Sequence, residues 1–169
     1  MELRGRDVTL RPPTPADAPV LASILGEPEV ARWWGDFDLE RVMADLIVGD
    51  PDETPFVIER DGVVIGYIQA VEENEPDFRS AGIDLFLRTD AQGRGLGPDA
   101  IRTLASYLVD ERGHHRLTID PAADNERAIA AYAKLGFRPV GRMRQYQRLR
   151  DGHWVDALLM DLLAGELVR

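Results

Sequence analysis

Cysteine is absent from the 169-residue chain. That excludes disulfides, a thiol nucleophile and a cysteine-ligated metal site. No apolar run approaches the roughly 18 residues that a membrane span needs. The first residues, Met1 to Asp7, carry Arg4 and Arg6 and no apolar stretch, so a secretory signal is not expected and a cytoplasmic location is. Histidine is sparse: His114, His115 and His153 do not form a ligand constellation, and no metal is expected. His114 and His115 are expected in an exposed turn. Serine occurs at 23, 80 and 106, none of them in a nucleophile elbow.

Positive charge is in the minority, with 20 Lys+Arg against 30 Asp+Glu and a formal net charge of −10. An acidic surface repels nucleic-acid phosphates and anionic membranes, so neither is an expected partner. It favours a cationic small molecule or a basic peptide, although solubility alone also explains it. Internal repeats, low-complexity tracts and linkers are missing. The length suits one α/β domain over residues 1–169, acting as a monomer or homodimer.

Val8 to Arg11 reads as a strand. Thr14-Pro15-Ala16-Asp17 reads as a helix start, with a capping threonine and an acid three residues on, and that helix is expected to run to about Leu25. Val30 to Trp34 reads as a helical turn. Asp38 caps a helix whose apolar face is Leu39, Val42, Met43, Leu46 and Ile47. Phe56 to Glu59 and Val63 to Val71 are strands around an Asp61-Gly62 hairpin turn. Ser80 to Arg88 is a strand, with a helix from Pro98 to about Glu111 and a strand from Arg116 to Ile119 beyond it. Asn125 caps a helix that stops at Gly136. Val140 to Arg148 and Val155 to Leu162 form a closing hairpin around Asp151-Gly152. This alternation implies a sheet covered by helices.

Between the Ser80 strand and the next helix lies Gln92-Gly93-Arg94-Gly95-Leu96-Gly97. Glycines let backbone N–H groups turn inward, and a helix N-terminus adds free donors and a partial positive charge. Together they form an anion cradle suited to pyrophosphate. The glycine spacing is one residue short of the dinucleotide fingerprint, and no Lys-Ser/Thr follows as in a P-loop. A tight strand-to-helix turn is the plainer reading of the glycines alone.

A second stretch, Asp120-Pro121 to Phe137, contains Asn125, Ala128, Tyr132, Lys134, Gly136 and Phe137. With Gln92-x-x-Gly95-x-Gly97 it resembles the GNAT superfamily of acetyl-CoA-dependent N-acetyltransferases, in motif order and in spacing. The resemblance implies a mixed α/β (α+β) fold: a central, mostly antiparallel sheet, flanked by helices and splayed at the acyl-CoA site. It implies acetyl-CoA as co-substrate, with pyrophosphate at Gln92, Gly93, Arg94, Gly95, Leu96 and Gly97 and pantetheine along the backbone of Phe86, Leu87 and Arg88. Asn125, Ala128 and Tyr132 belong to the same cofactor surface. The tyrosine is placed beside the CoA sulfur, where its hydroxyl can protonate the leaving thiolate. Backbone N–H groups near Phe86 and Leu87 would polarise the thioester carbonyl.

Asp84 interrupts an apolar strand. Strand alternation puts Ile83, Leu85 and Leu87 on one face and Asp84 and Phe86 on the other. A carboxylate at mid-strand is costly unless it is paired or wetted by a cleft, and a cationic amine is its natural partner; an exposed sheet face is the alternative. Asp120 ends the neighbouring strand at the same edge, although Asp-Pro is also ordinary turn chemistry. Trp33 and Trp34 are candidates for a stacking wall on the substrate. Glu72, Glu73, Glu75 and Asp77 read as an acidic loop, either solvated or a cation-attracting lip.

Within the superfamily the chain is most similar to the aminoglycoside 6′-N-acetyltransferases, through Trp33-Trp34-Gly35, Gly66-Tyr67-Ile68-Gln69, Gly82-Ile83-Asp84, Gly95-Leu96-Gly97 and Asp120-Pro121. That implies Asp84 and Asp120 on a polycationic amino-sugar. The region from Glu72 to Gly82 and the hairpin from Arg142 to Asp156 match less well. Protein N-termini and siderophore-precursor lysines are alternative acceptors, and a CoA-binding regulator without turnover is the alternative class.

Overall fold

A computed structural model describes residues 1–169. Its centre is one eight-stranded sheet, made of β1 (Leu3–Arg4), β2 (Thr9–Arg11), β3 (Glu53–Arg60), β4 (Val63–Glu73), β5 (Ser80–Leu87), β6 (Arg116–Ile119), β7 (Arg138–Arg148) and β8 (Trp154–Leu163). The spatial order is β1-β2-β3-β4-β5-β6-β8-β7. Every pairing is antiparallel except β5 with β6, so the expected mixed, mostly antiparallel sheet is present. The helices are α1 (Ala18–Leu25), α2 (Pro28–Trp34), α3 (Leu39–Val42), α4 (Leu96–Asp110) and α5 (Glu126–Lys134).

Alternation along the strands splits the core between two faces. Ile68, Ala70, Ile83 and Leu87 bury against Ile101, Leu104 and Leu108 of α4. Val57, Tyr67 and Phe86 bury against Leu21, Ile24 and Val42 on the opposite face. The Asp61-Gly62 hairpin forms with both residues at positive φ, 51° and 76°, the geometry that matches strand twist.

Several boundaries differ from expectation, each for a local reason. β1 was not anticipated; the turn joining it to β2 is held by the buried Asp99 carboxylate, which accepts from the N–H groups of Arg6, Asp7 and Val8 at 3.2, 2.8 and 3.2 Å. α4 starts at Leu96 rather than Pro98, because Gly95 at φ 79° serves as its N-cap. The helix after Asp38 opens into a π-helix over Met43–Val48; Val42 and Leu46 are buried, whereas Leu39, the first residue of α3, is exposed.

The acidic stretch after β4 also divides. Glu72 lies within β4 and is buried. His114 is buried too, not exposed: its Nε2 lies 2.7 Å from Glu72 Oε2. Thr54 Oγ1 and Arg112 Nη2 also donate to that carboxylate, at 2.8 and 3.0 Å.

Candidate active site

β5 and β6 pair only at Ala81↔Leu117 and Gly82↔Thr118. Beyond that point they diverge, and residues 83–87 of β5 keep their β4 partners on one side while losing a strand neighbour on the other. The sheet therefore opens into a cleft whose wall carries unpaired backbone polar groups, which need partners when buried. β8 follows the far wall past the end of β6: Leu158 N–H donates to the Pro121 carbonyl at 2.9 Å.

The glycine loop closes one end of this cleft. Gly93 and Gly95 have φ of 72° and 79°, conformations that side chains with a Cβ disfavour. Gln92 Nε2 donates to the Leu87 carbonyl at 3.0 Å and ties the loop to the end of β5. Thr89 bonds Glu27 through its N–H at 2.7 Å and through its hydroxyl. α4 begins without a side-chain cap, so the N–H groups of Leu96 and Gly97 are available to an anion. Arg88 is paired with Asp90 at 2.6 Å, and Arg94 is exposed. These residues fit a pyrophosphate: a backbone cradle at a helix N-terminus, with cationic side chains at its rim.

Asp84 stands on β5 opposite Gln69 of β4. Its face is that of Phe86, which stacks on Tyr67 with centroids 5.6 Å apart and meets Trp34 edge-on at 5.0 Å. Crowding by the cleft walls, then the charge of Asp120, push the Asp84 carboxyl up to about 7. Asp84 is exposed to water at the cleft mouth, as an exposed sheet face requires, which moderates the rise, but its direction follows from both causes.

Asp120, just past β6, is half-buried, and its carboxyl is also raised by burial, opposed by the Tyr146 hydroxyl. Tyr146 stands close enough to interact with Asp120, short of a hydrogen bond of standard geometry. Tyr132, on α5, is held up to about 12 by burial and then by Asp84 and Asp120. It is a phenol that keeps its proton across the neutral range. Asn125 caps α5 by accepting from the Ala128 N–H at 3.2 Å, so these two residues form the start of that helix.

The structure thus brings Asp84, Asp120 and Tyr132 within one another's fields and puts Gln92 to Gly97 at the end of β5. The tryptophans divide. Trp34 packs on Phe86 beside Asp84, whereas Trp33 lies under Arg32 at 4.7 Å. Both line an open groove of about 410 Å³ with Gln147, Arg148 and Arg150, which does not reach Asp84 or Tyr132.

Sequence reasoning missed Tyr146 and Arg127. A Cβ on Gly93 would lie 2.5 Å from the Arg127 guanidinium, so Arg127 of α5 lies against the glycine loop. Its only signal was its position, two residues after Asn125.

Residues 7–138 match the family model of the acetyltransferase (GNAT) domain, and the chain belongs to that family. It is an N-acetyltransferase, and GNAT acetyltransferases use acetyl-CoA. The aminoglycoside N(6′)-acetyltransferase type 1 of Klebsiella pneumoniae is 31% identical over 153 residues, covering 79% of this chain and 75% of the relative. The spermidine N(1)-acetyltransferase of Escherichia coli K12 is 28% identical over 161 residues, covering 92% and 86%. The spermidine N-acetyltransferase of Vibrio cholerae, solved in complex with CoA and spermine, shares the fold with a TM-score of 0.83 at 20% identity, covering 95% of this chain and 97% of that one.

Proposed function

We propose that this enzyme transfers the acetyl group of acetyl-CoA to a primary amine of a cationic small molecule, by direct attack in a ternary complex. The observation that carries the reading is the Asp84–Asp120 pair flanking the split between β5 and β6. Acetyl-CoA supplies the activated thioester. Gln92 to Gly97 hold its pyrophosphate, with Asn125 and Ala128 shaping the α5 side, and the free edge of β5 at Phe86, Leu87 and Arg88 aligns its pantetheine. Asp84, raised toward neutrality, takes one proton from the bound ammonium. The freed amine nitrogen bonds to the acetyl carbon, the Leu87 N–H carries the oxyanion, and the C–S bond breaks. The Leu87 N–H faces the cleft because the N–H groups of its neighbours point to β4, as that of Arg88 does to the Ile65 carbonyl. Tyr132 gives its proton to the departing sulfur and is refilled by the second proton that the acetylated nitrogen loses, while Asp84 releases the first to solvent. The products are an N-acetyl amine and CoA.

For the acceptor we favour the 6′-amine of an aminoglycoside. Two carboxylates at the amine position suit a polycationic amino-sugar, and Trp34 offers a stacking face beside Asp84. Similarity to the Klebsiella relative supports the same reading. Similarity to the spermidine acetyltransferase gives a polyamine acceptor as the second reading. The test is acetyl-CoA turnover against kanamycin, tobramycin, spermidine, N-terminal peptides and hydroxylysine derivatives. Highest kcat/KM with an aminoglycoside is expected. Turnover of peptides without aminoglycosides overturns the amino-sugar assignment in favour of protein N-termini; binding of CoA with no turnover of any amine turns the protein into a regulator.

A further inference from the structure

β7 departs from strand geometry at one place. Its register with β8 runs to Met143↔Ala157 and resumes at Gln147↔Val155, so Arg144, Gln145 and Tyr146 stand against Asp156 alone. Gln145 has a φ of 47°, a left-handed conformation uncommon outside glycine. Three contacts fix this bulge. The Gln145 N–H donates to Asp156 Oδ1 at 2.8 Å, Arg142 Nε donates to Asp156 Oδ2 at 2.6 Å, and Gln147 Nε2 donates to the Trp33 carbonyl at 2.5 Å. Bulges re-aim side chains beside active sites, and strained backbone persists where the surroundings over-determine it.

What the bulge aims is Tyr146. Its side chain belongs to neither core cluster and is 52% exposed. A large ring left in water contributes little to folding. Yet the bulge lies across β8 from the segment that follows Asp120. The Asp156 carbonyl accepts from the Ala123 N–H at 2.9 Å, the Leu158 N–H donates to the Pro121 carbonyl at 2.9 Å and Ala122 bridges Ala157. The Tyr146 hydroxyl interacts with Asp120 short of a standard hydrogen bond. Asp84 from β5, Asp120 from the end of β6 and Tyr132 from α5 act on one another's charge, and Tyr146 from β7 joins them with an exposed aromatic ring.

We propose that Tyr146 is an acceptor-specificity residue: its ring lies against the carbon skeleton of the amine, and its hydroxyl, beside Asp120, closes into a hydrogen bond with that carboxylate when the ammonium group binds. This rests on the reading that Asp84 and Asp120 face the acceptor. A residue of this kind acts on acceptor recognition and leaves the thioester chemistry to Asp84 and Tyr132.

The test is steady-state kinetics of Tyr146→Phe and Tyr146→Ala with kanamycin and with spermidine, varying each substrate in turn. Tyr146→Phe is expected to raise the acceptor KM about tenfold, the loss of one charge-assisted hydrogen bond. Tyr146→Ala raises it further, by removing the ring. In both variants kcat stays within about twofold of wild type and the acetyl-CoA KM is unchanged. An unaltered acceptor KM in both variants overturns the proposal. So does an acetyl-CoA KM that rises in step with the acceptor KM, which would make the bulge a structural support for the whole cleft. A wild-type enzyme that acetylates neither amine removes the acceptor reading itself, a result distinct from active wild type with neutral variants.

Discussion

Asp84 and Asp120 come from strands that pair at their start and part before their end, so the two carboxylates share a cleft without sharing a ladder. Asp84 is raised to about 7, by crowding first and by Asp120 second. A base that titrates near the working pH is well matched to deprotonating an ammonium group. kcat/KM for the acceptor is expected to rise with pH through about 7 as Asp84 ionises, and Asp84→Asn is expected to lower turnover and flatten that limb. A pH–rate profile of the two proteins checks both.

The same raised value has a consequence for stability. Folded Asp84 keeps its proton to a higher pH than the unfolded chain, which releases it near 3.8. Between the unfolded and folded values the unfolded state binds fewer protons, so the contribution of this group to stability falls as pH rises and is lowest above the folded value. Asp84→Asn should therefore raise Tm relative to wild type at pH 8 and bring little gain at pH 4. Thermal melts at the two pH values decide it; a variant less stable than wild type at pH 8 would show that Asp84 is held charged by partners.

Gly95 illustrates how a glycine can matter without crowding. A Cβ there would meet nothing within 4 Å, so the constraint is the φ of 79° at the N-cap of α4. A left-handed conformation costs an ordinary residue about 1–2 kcal/mol, and a β-branched side chain is the least suited to it. Gly95→Val is expected to displace the loop and raise the acetyl-CoA Kd at least about tenfold. Gly93→Ala carries the same backbone strain, at φ 72°, and adds a contact between its Cβ and the movable end of Arg127. Calorimetric titration of CoA into folded variants reads the effect; an unchanged Kd in Gly95→Val would remove the loop from the cofactor site.

Tyr132 is half-buried on α5 and held up to about 12, so it is a proton donor over the whole neutral range. Tyr132→Phe keeps the ring and deletes the proton. Turnover should fall by roughly 10²-fold, by the same factor at pH 6.5 and pH 8.5, with acetyl-CoA affinity little changed. Near-wild-type turnover where chemistry limits the rate would return Tyr132 to its packing against Phe137.

Much of this was legible in the sequence because the signals were local. Asp61-Gly62, Asn125 before α5 and the period-two apolar pattern of β5 each act within a few residues, and each element forms where its signal lies. The glycine loop could be placed, since strand, glycines and helix are consecutive. Tyr146 was hidden: β7 reads as an ordinary strand, and the bulge depends on Asp156 across the hairpin and Trp33 far away in sequence. His114 was misread for the same reason. A histidine pair after a helix looks like a solvated turn until Glu72, 42 positions earlier, is found beside it.

That buried cluster gives a last expectation, remote from the chemistry. Glu72 sits at the end of β5's pairing with β4, opposite Ala81, whereas the glycine loop follows the other end of β5. Burial alone would raise its carboxyl, but hydrogen bonds from His114, Thr54 and Arg112 outweigh that and hold it below the ordinary value. The folded state therefore binds fewer protons than the unfolded chain in the acid range. This contribution is present in full above about pH 4.5 and is lost as pH falls through the folded value. Glu72→Gln removes the charge and unbalances its donors, at a cost of about 1–3 kcal/mol near pH 7. His114 Nδ1 is buried and has no partner, so His114→Ala loses the Nε2 contact without stranding a second acceptor, and Glu72 keeps Thr54 and Arg112. It should destabilise less than Glu72→Gln beyond the volume it vacates. Urea unfolding at pH 7 and pH 4, with kinetics on the folded variants, checks the pattern: the Glu72→Gln deficit shrinks at pH 4 while kcat and both KM values hold. A deficit equal at both pH values would mean that packing, not the charge of Glu72, holds β4 to the end of α4.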